Sequence, residues 1–186
     1  MTPLRVAVLI GSTREGRVGH TVGHWFADRA REREDLEVGV VDLAEFDLPA
    51  RLPAAATPEM TRFAAEIDRA DAFVVVTPEY NRSFPASLKL AIDCAYDEWH
   101  AKPAGFVSYG CRSTGLYAVE QLRSVFTELH VATVRDAVSF NLLADCRGGP
   151  PFAAEELVHR ATALLDQLVW WGRALRAARA SHPYIG

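Results

Sequence analysis

The stretch Gly11–Gly19 combines three glycines, two hydroxyl side chains and two arginines. It follows an apolar run and precedes a helical pattern, so its backbone N–H groups would lie at a helix N-terminus, where an anion is favoured. The hydroxyls of Ser12 and Thr13 add donors, and Arg14 or Arg17 adds charge-assisted ones. The stretch therefore predicts a phosphate site. The alternative interpretation is a plain surface loop with a solvated Arg17.

Two nucleotide-binding motifs do not fit this stretch. A P-loop needs lysine and then serine or threonine after its second glycine, but Arg17 and Val18 stand at those positions. The dinucleotide fingerprint GxGxxG is absent, because Ser12 and Thr13 occupy the turn. A monophosphate held by hydroxyls and backbone amides fits better.

Two further loops, Pro78–Ser83 and Gly110–Gly115, are rich in small and polar residues. In the first of them, Tyr80 and Asn81 offer a ring and an amide that can line the edge of a planar heterocycle. The alternative is that the tyrosine merely packs and the asparagine adopts a left-handed turn. The second loop can approach the same ligand from the other side.

Strand and helix patterns alternate along the chain and would position these loops. Apolar, β-branched runs predict strands over Leu4–Ile10, Leu36–Leu43, Ala72–Thr77, Ala104–Tyr109 and His130–Val134. Apolar residues at helical spacing follow each strand. Parallel strands need crossover helices and both faces of the sheet need cover, so the pattern predicts a doubly wound α/β sandwich. Ligands bind such sheets at the carboxyl ends of the strands, where all three loops begin.

Local signals mark several element boundaries. Thr57 before Pro58 predicts the start of the second helix, and Ser83 is predicted to cap the third. Phe140–Pro151 is predicted to be irregular, and the tail Ser181–Gly186 to be frayed.

Composition excludes several classes of protein. The 186 residues are 49% apolar and 24% charged, which predicts a single domain over residues 1–186. A net charge of −4 without a basic block gives nucleic-acid binding no electrostatic support. No signal peptide or membrane span is predicted, since no apolar run approaches ~20 residues. Lone cysteines at Cys94, Cys111 and Cys146 predict neither disulfides nor zinc and favour a cytoplasmic location.

Two pairs of residues outside the loops have simple interpretations. His20 and His24 lie one helical turn apart but lack a third ligand, so they are predicted as exposed residues of a polar face and no metal site is predicted. Trp170 and Trp171 cannot both face one core stripe, so at least one should be exposed or lie in an interface.

GSTR after the first strand, PEYN after the third and SYG at the end of the fourth resemble the NAD(P)H-dependent FMN reductase family of flavodoxin-like proteins. The resemblance covers roughly residues 4–145, with a matching final helix. It implies a five-stranded parallel sheet in the order 2-1-3-4-5 with helices on both faces. It also implies FMN as cofactor, NADPH or NADH as co-substrate and a homodimer.

The resemblance also implies a set of cofactor-binding residues. They are Gly11, Ser12, Thr13, Arg14, Arg17, Val18, Gly19, Pro78, Glu79, Tyr80, Asn81, Gly110, Cys111 and Arg112. The first loop would surround the phosphate and PEYN would contact the isoalloxazine, mostly through main chain. The third loop would flank the pyrimidine side of the ring.

The implied activity is hydride transfer from the nicotinamide to FMN, and then to a small acceptor such as a flavin, a quinone or an azo compound. No side chain is predicted to act as a catalytic acid or base. The alternatives are a flavodoxin-type electron carrier and a flavodoxin-like binding module without catalysis.

Overall fold

The computed structural model describes residues 2–142 and 155–185. Their strands are β1 (Leu4–Ile10), β2 (Leu36–Asp42), β3 (Ala72–Pro78), β4 (Pro103–Gly110) and β5 (Ala132–Asn141). Their α-helices are α1 (Gly19–Arg31), α2 (Pro58–Arg69), α3 (Ala86–Asp93), α4 (Leu116–Glu128) and α5 (Glu155–Ser181). Short 3-10 helices lie at Leu43–Glu45 and Asp97–Trp99.

The strands form one parallel sheet in the order β2-β1-β3-β4-β5. This order is that of the flavodoxin-like doubly wound fold, which confirms the predicted topology. Every residue of β3 and β4 is buried, as the continuous apolar runs predict for strands covered on both faces.

Two apolar layers cover the sheet. On one face α1 and α5 pack against the strands through side chains such as Phe26 and Leu164. On the other face α2, α3 and α4 contribute residues such as Phe63 and Leu88. Trp99 is fully buried in this second layer, where its ring lies edge-on to Phe73 at 4.7 Å between centroids. The helices α1, α3 and α4 therefore hold the loops that precede them at the carboxyl edge of the sheet.

The predicted start of α2 is confirmed and that of α3 is wrong. Thr57 accepts a hydrogen bond from the Met60 backbone N–H at 3.2 Å, and Pro58 is the first helical residue. Ser83 does not cap α3, whose N-cap is Pro85. The Ser83 hydroxyl donates to Gln121 Oε1 instead, at 2.6 Å, because a tight turn within the preceding loop directs it towards α4.

The fifth strand differs from its predicted bounds of His130–Val134. His130 lies outside β5 in a left-handed conformation with φ of 56°. The strand continues to Asn141 across an irregularity in its pairing with β4. There the side chain of Gln167 hydrogen-bonds both the N–H and the carboxylate of Asp136, which allows polar residues to continue the strand.

Phe140 and Asn141 therefore belong to β5, and the prediction of an irregular segment was wrong for them. The remainder of that predicted segment from residue 143 onwards, including Cys146, lies outside the described residues. Tyr184, in the tail predicted to fray, is hydrogen-bonded to His130 Nδ1 at 2.7 Å.

Trp170 and Trp171 expose 65% and 43% of their surface on α5, in agreement with the prediction for adjacent tryptophans.

Across residues 2–142 and 155–185, no helix combines the length and the apolarity that a bilayer span requires.

Lys102 is a buried cation at the amino edge of the sheet, only 6% exposed. Its ammonium donates to the carbonyls of Ile67 and Asp68 near the C-terminus of α2, at 2.9 and 2.8 Å. Burial, and secondarily the charge of Arg179, lower the pKa of Lys102 to about 8.

We expect the free energy of unfolding to rise with pH above about 8 because of Lys102. The unfolded chain keeps this proton up to its ordinary pKa near 10.5, so it binds more protons than the folded chain within that window. The full increase is about 3 kcal/mol. Urea unfolding of Lys102→Met should lack the increase, whereas Lys89→Met, on an exposed pair with Asp93, should retain it. The same pH slope in Lys102→Met would contradict this assignment.

Candidate functional site

The three predicted loops meet at one cleft of about 310 Å³ at the carboxyl ends of β1, β3 and β4. The residues that line it are Ser12, Arg14, Glu15, Gly16, Arg17, Val18, Pro78, Glu79, Tyr80, Tyr109, Gly110, Cys111 and Leu142. Nine residues of the predicted set are among them: Ser12, Arg14, Arg17, Val18, Pro78, Glu79, Tyr80, Gly110 and Cys111. The expectation that these loops build one site thus agrees with their placement.

The five other predicted residues stand behind or beside the cleft. Gly11 packs under α3, where a Cβ would lie 2.9 Å from Leu88. Thr13 lines a separate hollow below the loop that follows β2. Gly19 begins α1, while Asn81 and Arg112 are exposed at the loop tips.

The N-terminus of α1 lies at the carboxyl edge of the sheet and has no side-chain cap among the described residues. Val18 is the N-cap, its aliphatic side chain cannot accept a hydrogen bond from the first N–H groups, and the first turn contains no acidic residue. The first N–H groups of a helix lack partners within the helix, and the helix dipole makes this end positive. The end of α1 therefore favours an anion.

Arg17 forms a buried ion pair that the sequence interpretation missed. Its terminal nitrogens donate to both carboxylate oxygens of Asp42 at 2.8 and 2.7 Å, and its side chain is 17% exposed. Asp42 ends β2 and also accepts the Ala44 N–H. The alternative of a solvated Arg17 is therefore wrong. Asp42 partly neutralises this arginine, whereas Arg14 is exposed and makes no ion pair among the described residues.

The loop after β3 closes as a tight turn. Tyr80 and Ser83 exchange backbone hydrogen bonds at 2.8 and 3.0 Å, and Asn81 and Arg82 have φ of 51° and 66°. The left-handed turn considered for Asn81 is the conformation found. The Tyr80 hydroxyl is hydrogen-bonded to Ser12 Oγ at 3.2 Å, so this loop touches the first one.

Glu79 joins the second loop to the third. Its carboxylate accepts from the Ser113 hydroxyl at 2.5 Å and from the Tyr117 N–H, in the first turn of α4, at 3.1 Å. The Glu79 side chain therefore ties two walls of the cleft together. Its own N–H is bonded to the carbonyl of Tyr109 at 3.0 Å.

Tyr109 is a lining residue that the sequence interpretation did not select. It ends β4, its side chain is 3% exposed, and its hydroxyl has no hydrogen-bond partner in the described part of the chain. The tyrosine of SYG was the available signal. A buried donor without a partner beside an uncapped helix N-terminus fits a phosphate group there.

Several known reductases are similar to this chain. Over 150 residues the chain is 35% identical to an NAD(P)H-dependent FMN reductase of Schizosaccharomyces pombe, across 75% of this chain and 74% of that protein. It is 33% identical over 136 residues to a 2-hydroxy-1,4-benzoquinone reductase of Burkholderia sp, across 69% and 73% of the two chains. The solved structure of FerB, a flavoenzyme NAD(P)H:(acceptor) oxidoreductase from Paracoccus denitrificans, has a TM-score of 0.73 at 26% identity, with 90% and 98% covered.

Fold and site together define a flavodoxin-like α/β protein with a cleft at the N-terminus of its first helix. The model of one family, the NADPH-dependent FMN reductases, matches residues 4–144. The chain belongs to this family, which confirms the resemblance predicted from GSTR, PEYN and SYG.

The Arg17–Asp42 pair should contribute strongly to stability. Replacing Asp42 with asparagine removes the charge that compensates a largely buried guanidinium, and we expect a loss of about 3–5 kcal/mol in the free energy of unfolding. Glu37→Gln breaks the exposed pair with Arg5 and should cost less than about 1 kcal/mol. Urea unfolding of both variants measures the contrast. Equal losses of free energy of unfolding in the two variants would show that the buried pair stabilises the fold no more than the exposed one.

Proposed function

We propose that the cleft holds FMN and that the fourteen residues named from the sequence, with Asp42 and Tyr109, form or support its site. The chain is an FMN-dependent NAD(P)H oxidoreductase, and a quinone or a flavin is its acceptor. The observation that carries the proposal is the N-terminus of α1 beside the Tyr109 hydroxyl, neither of which has a side-chain hydrogen-bond partner in the part of the chain that the structure describes. Both lie where β1 and β3 are adjacent and the strand order reverses, the position at which flavodoxin-like folds bind FMN.

The phosphate would lie at the N-terminus of α1. The helix offers N–H groups, Ser12 offers a hydroxyl and Arg14 offers a charge that no carboxylate among the described residues neutralises. Asp42 holds the guanidinium of Arg17 through two hydrogen bonds. Arg17 would therefore act on the phosphate as a positive charge in a fixed position. The protein thus surrounds a dianion with donors that are already in place.

The ring system would lie between the second and third loops. The N–H groups of Glu79 and Tyr80 are bonded to Tyr109 and Ser83, so they are not available to it. In the tight turn, the N–H groups of Asn81 and Arg82 have no acceptor among the described residues. These two groups are the main-chain donors that we assign to the edge of the ring.

Bound FMN supplies the hydride chemistry, and the protein supplies its position and electrostatic surroundings. Glu79 and Gln121 hold the second loop against α4, so the donors of this loop keep one arrangement during the reaction. Donors fixed before the reaction stabilise negative charge that develops on a bound group. No lining side chain is required as an acid or base.

The test is reconstitution of the purified chain with FMN, followed by anaerobic addition of NADPH or NADH and then of a benzoquinone. We expect a bound yellow cofactor that is bleached by the nicotinamide and regains its colour with the quinone. A protein that binds FMN without accepting electrons from either nicotinamide would favour the electron carrier. A protein that stays colourless in excess FMN would leave only the binding module.

Arg14→Ala should weaken FMN binding by about 10- to 100-fold, the usual value of one charge-assisted hydrogen bond. The fold should be unaffected, because Arg14 is exposed. Flavin fluorescence during titration of apoprotein measures the dissociation constant. Arg51→Ala, which removes an exposed arginine outside the cleft, is the matched control. Equal affinity in the two variants would remove Arg14 from the phosphate site.

We further propose a cytoplasmic homodimer of one FMN-binding domain per chain, residues 1–186. The exposed rings of Trp170 and Trp171 on α5 support an interface between chains. The free thiols of Cys94 and Cys111 suit a reducing compartment. Light scattering that gives the mass of one chain would exclude the dimer.

A further inference from the structure

Tyr109 places a polar atom in an otherwise apolar position. Its ring packs in the layer between the sheet and α1, with Val22 and Phe26 in the same cluster. The hydroxyl at the tip is buried and has no hydrogen-bond partner among the described residues. Its neighbour Ser12 is hydrogen-bonded to the Tyr80 hydroxyl at 3.2 Å. Proteins rarely retain a buried donor without a partner, so this hydroxyl calls for an acceptor from outside the chain.

Gly19 locates that hydroxyl at the first turn of α1. A Cβ on residue 19 would lie 2.5 Å from the Tyr109 oxygen, closer than two such atoms can approach. The absence of a side chain on Gly19 therefore makes room for the hydroxyl directly beside the N–H groups that begin the helix. A ligand that accepts hydrogen bonds from the first N–H groups of α1 is therefore also close to the Tyr109 hydroxyl.

The Tyr109 hydroxyl is in the protonated state that a hydrogen-bond donor to an anion needs. Burial raises the pKa of Tyr109 well above its usual range, and the neighbouring Ser12 opposes this only in part. The phenol therefore keeps its proton at all physiological pH values. A protonated hydroxyl donates to a phosphate oxygen, whereas a phenolate would repel it.

We propose that the Tyr109 hydroxyl donates a hydrogen bond to the phosphate of the bound flavin nucleotide, as a cofactor-binding residue from the core of the sheet rather than from a loop. This inference rests on the proposed function. It distinguishes FMN from riboflavin, because riboflavin has no phosphate to accept this bond. Gly19 acts as a positioning residue, since its missing side chain leaves the hydroxyl in place.

The test compares apoprotein binding of FMN and of riboflavin in the wild type and in Tyr109→Phe, by flavin fluorescence. The variant should bind FMN about 10- to 100-fold more weakly, since a hydrogen bond to a charged group is lost. Riboflavin affinity should not change. The melting temperature of the apoprotein should be equal or higher, because the substitution removes a buried donor without a partner. Tyr96→Phe, at a tyrosine that is 58% exposed, is the matched control and should behave as wild type.

Three outcomes would overturn the assignment while leaving the proposed function intact. They are unchanged FMN affinity in Tyr109→Phe, an equal loss of affinity for FMN and riboflavin, and a lower melting temperature of the apoprotein. Wild-type protein that binds neither flavin would instead refute the proposed function itself.

Gly19→Ala tests the geometry independently of any ligand. In the wild-type background the new Cβ meets the hydroxyl, so the melting temperature of the apoprotein should fall. In the Tyr109→Phe background the obstacle is absent, so alanine should be tolerated or should stabilise the helix. FMN affinity should stay low in the double variant. An equal decrease in melting temperature in both backgrounds would show that the hydroxyl is not adjacent to residue 19.

Discussion

The parallel pairing of β1 with β3 is the constraint on which the site depends. Ile10 lies opposite Val76 in the register, so the loops that follow these strands leave the sheet side by side. The connection from β1 passes to α1 on one face, and that from β3 passes to α3 on the other. Two loops that leave in opposite directions open a gap at the edge of the sheet, and the cleft occupies that gap.

Buried polar groups differ between the two edges of the sheet. At the amino edge, the Lys102 ammonium donates to protein carbonyls at the end of α2, so it has hydrogen-bond partners within the chain. At the carboxyl edge, Asp42 and Glu79 are fully engaged in holding loops, but the Tyr109 hydroxyl has no protein partner in the described residues. The polar groups of the amino edge therefore stabilise the fold, whereas one at the carboxyl edge is left for the proposed ligand.

The features of the fold that depend on residues close together in the sequence were predictable. Continuous apolar runs identified the buried strands, and Thr57 with Pro58 identified the start of α2. Contacts between distant residues were not predictable from these patterns. Asp42 reaches Arg17 across 25 positions, and Gln121 holds the turn at Ser83 across 38. The length of β5 was underestimated because Gln167, on α5, hydrogen-bonds the N–H and the carboxylate of Asp136 within the strand.

The sequence by itself determined which residue types leave the ends of the strands, because apolar runs, glycines and hydroxyls are local features of the chain. Three motifs at three strand ends were sufficient to indicate the family and the loops that line the cleft. Only the tertiary structure decided what each side chain does there. It paired Arg17 with Asp42, turned the carboxylate of Glu79 towards α4 and left the Tyr109 hydroxyl without a partner among residues 2–142 and 155–185. Those roles depend on distances between elements far apart in the chain, and such distances exist only once the sheet has assembled.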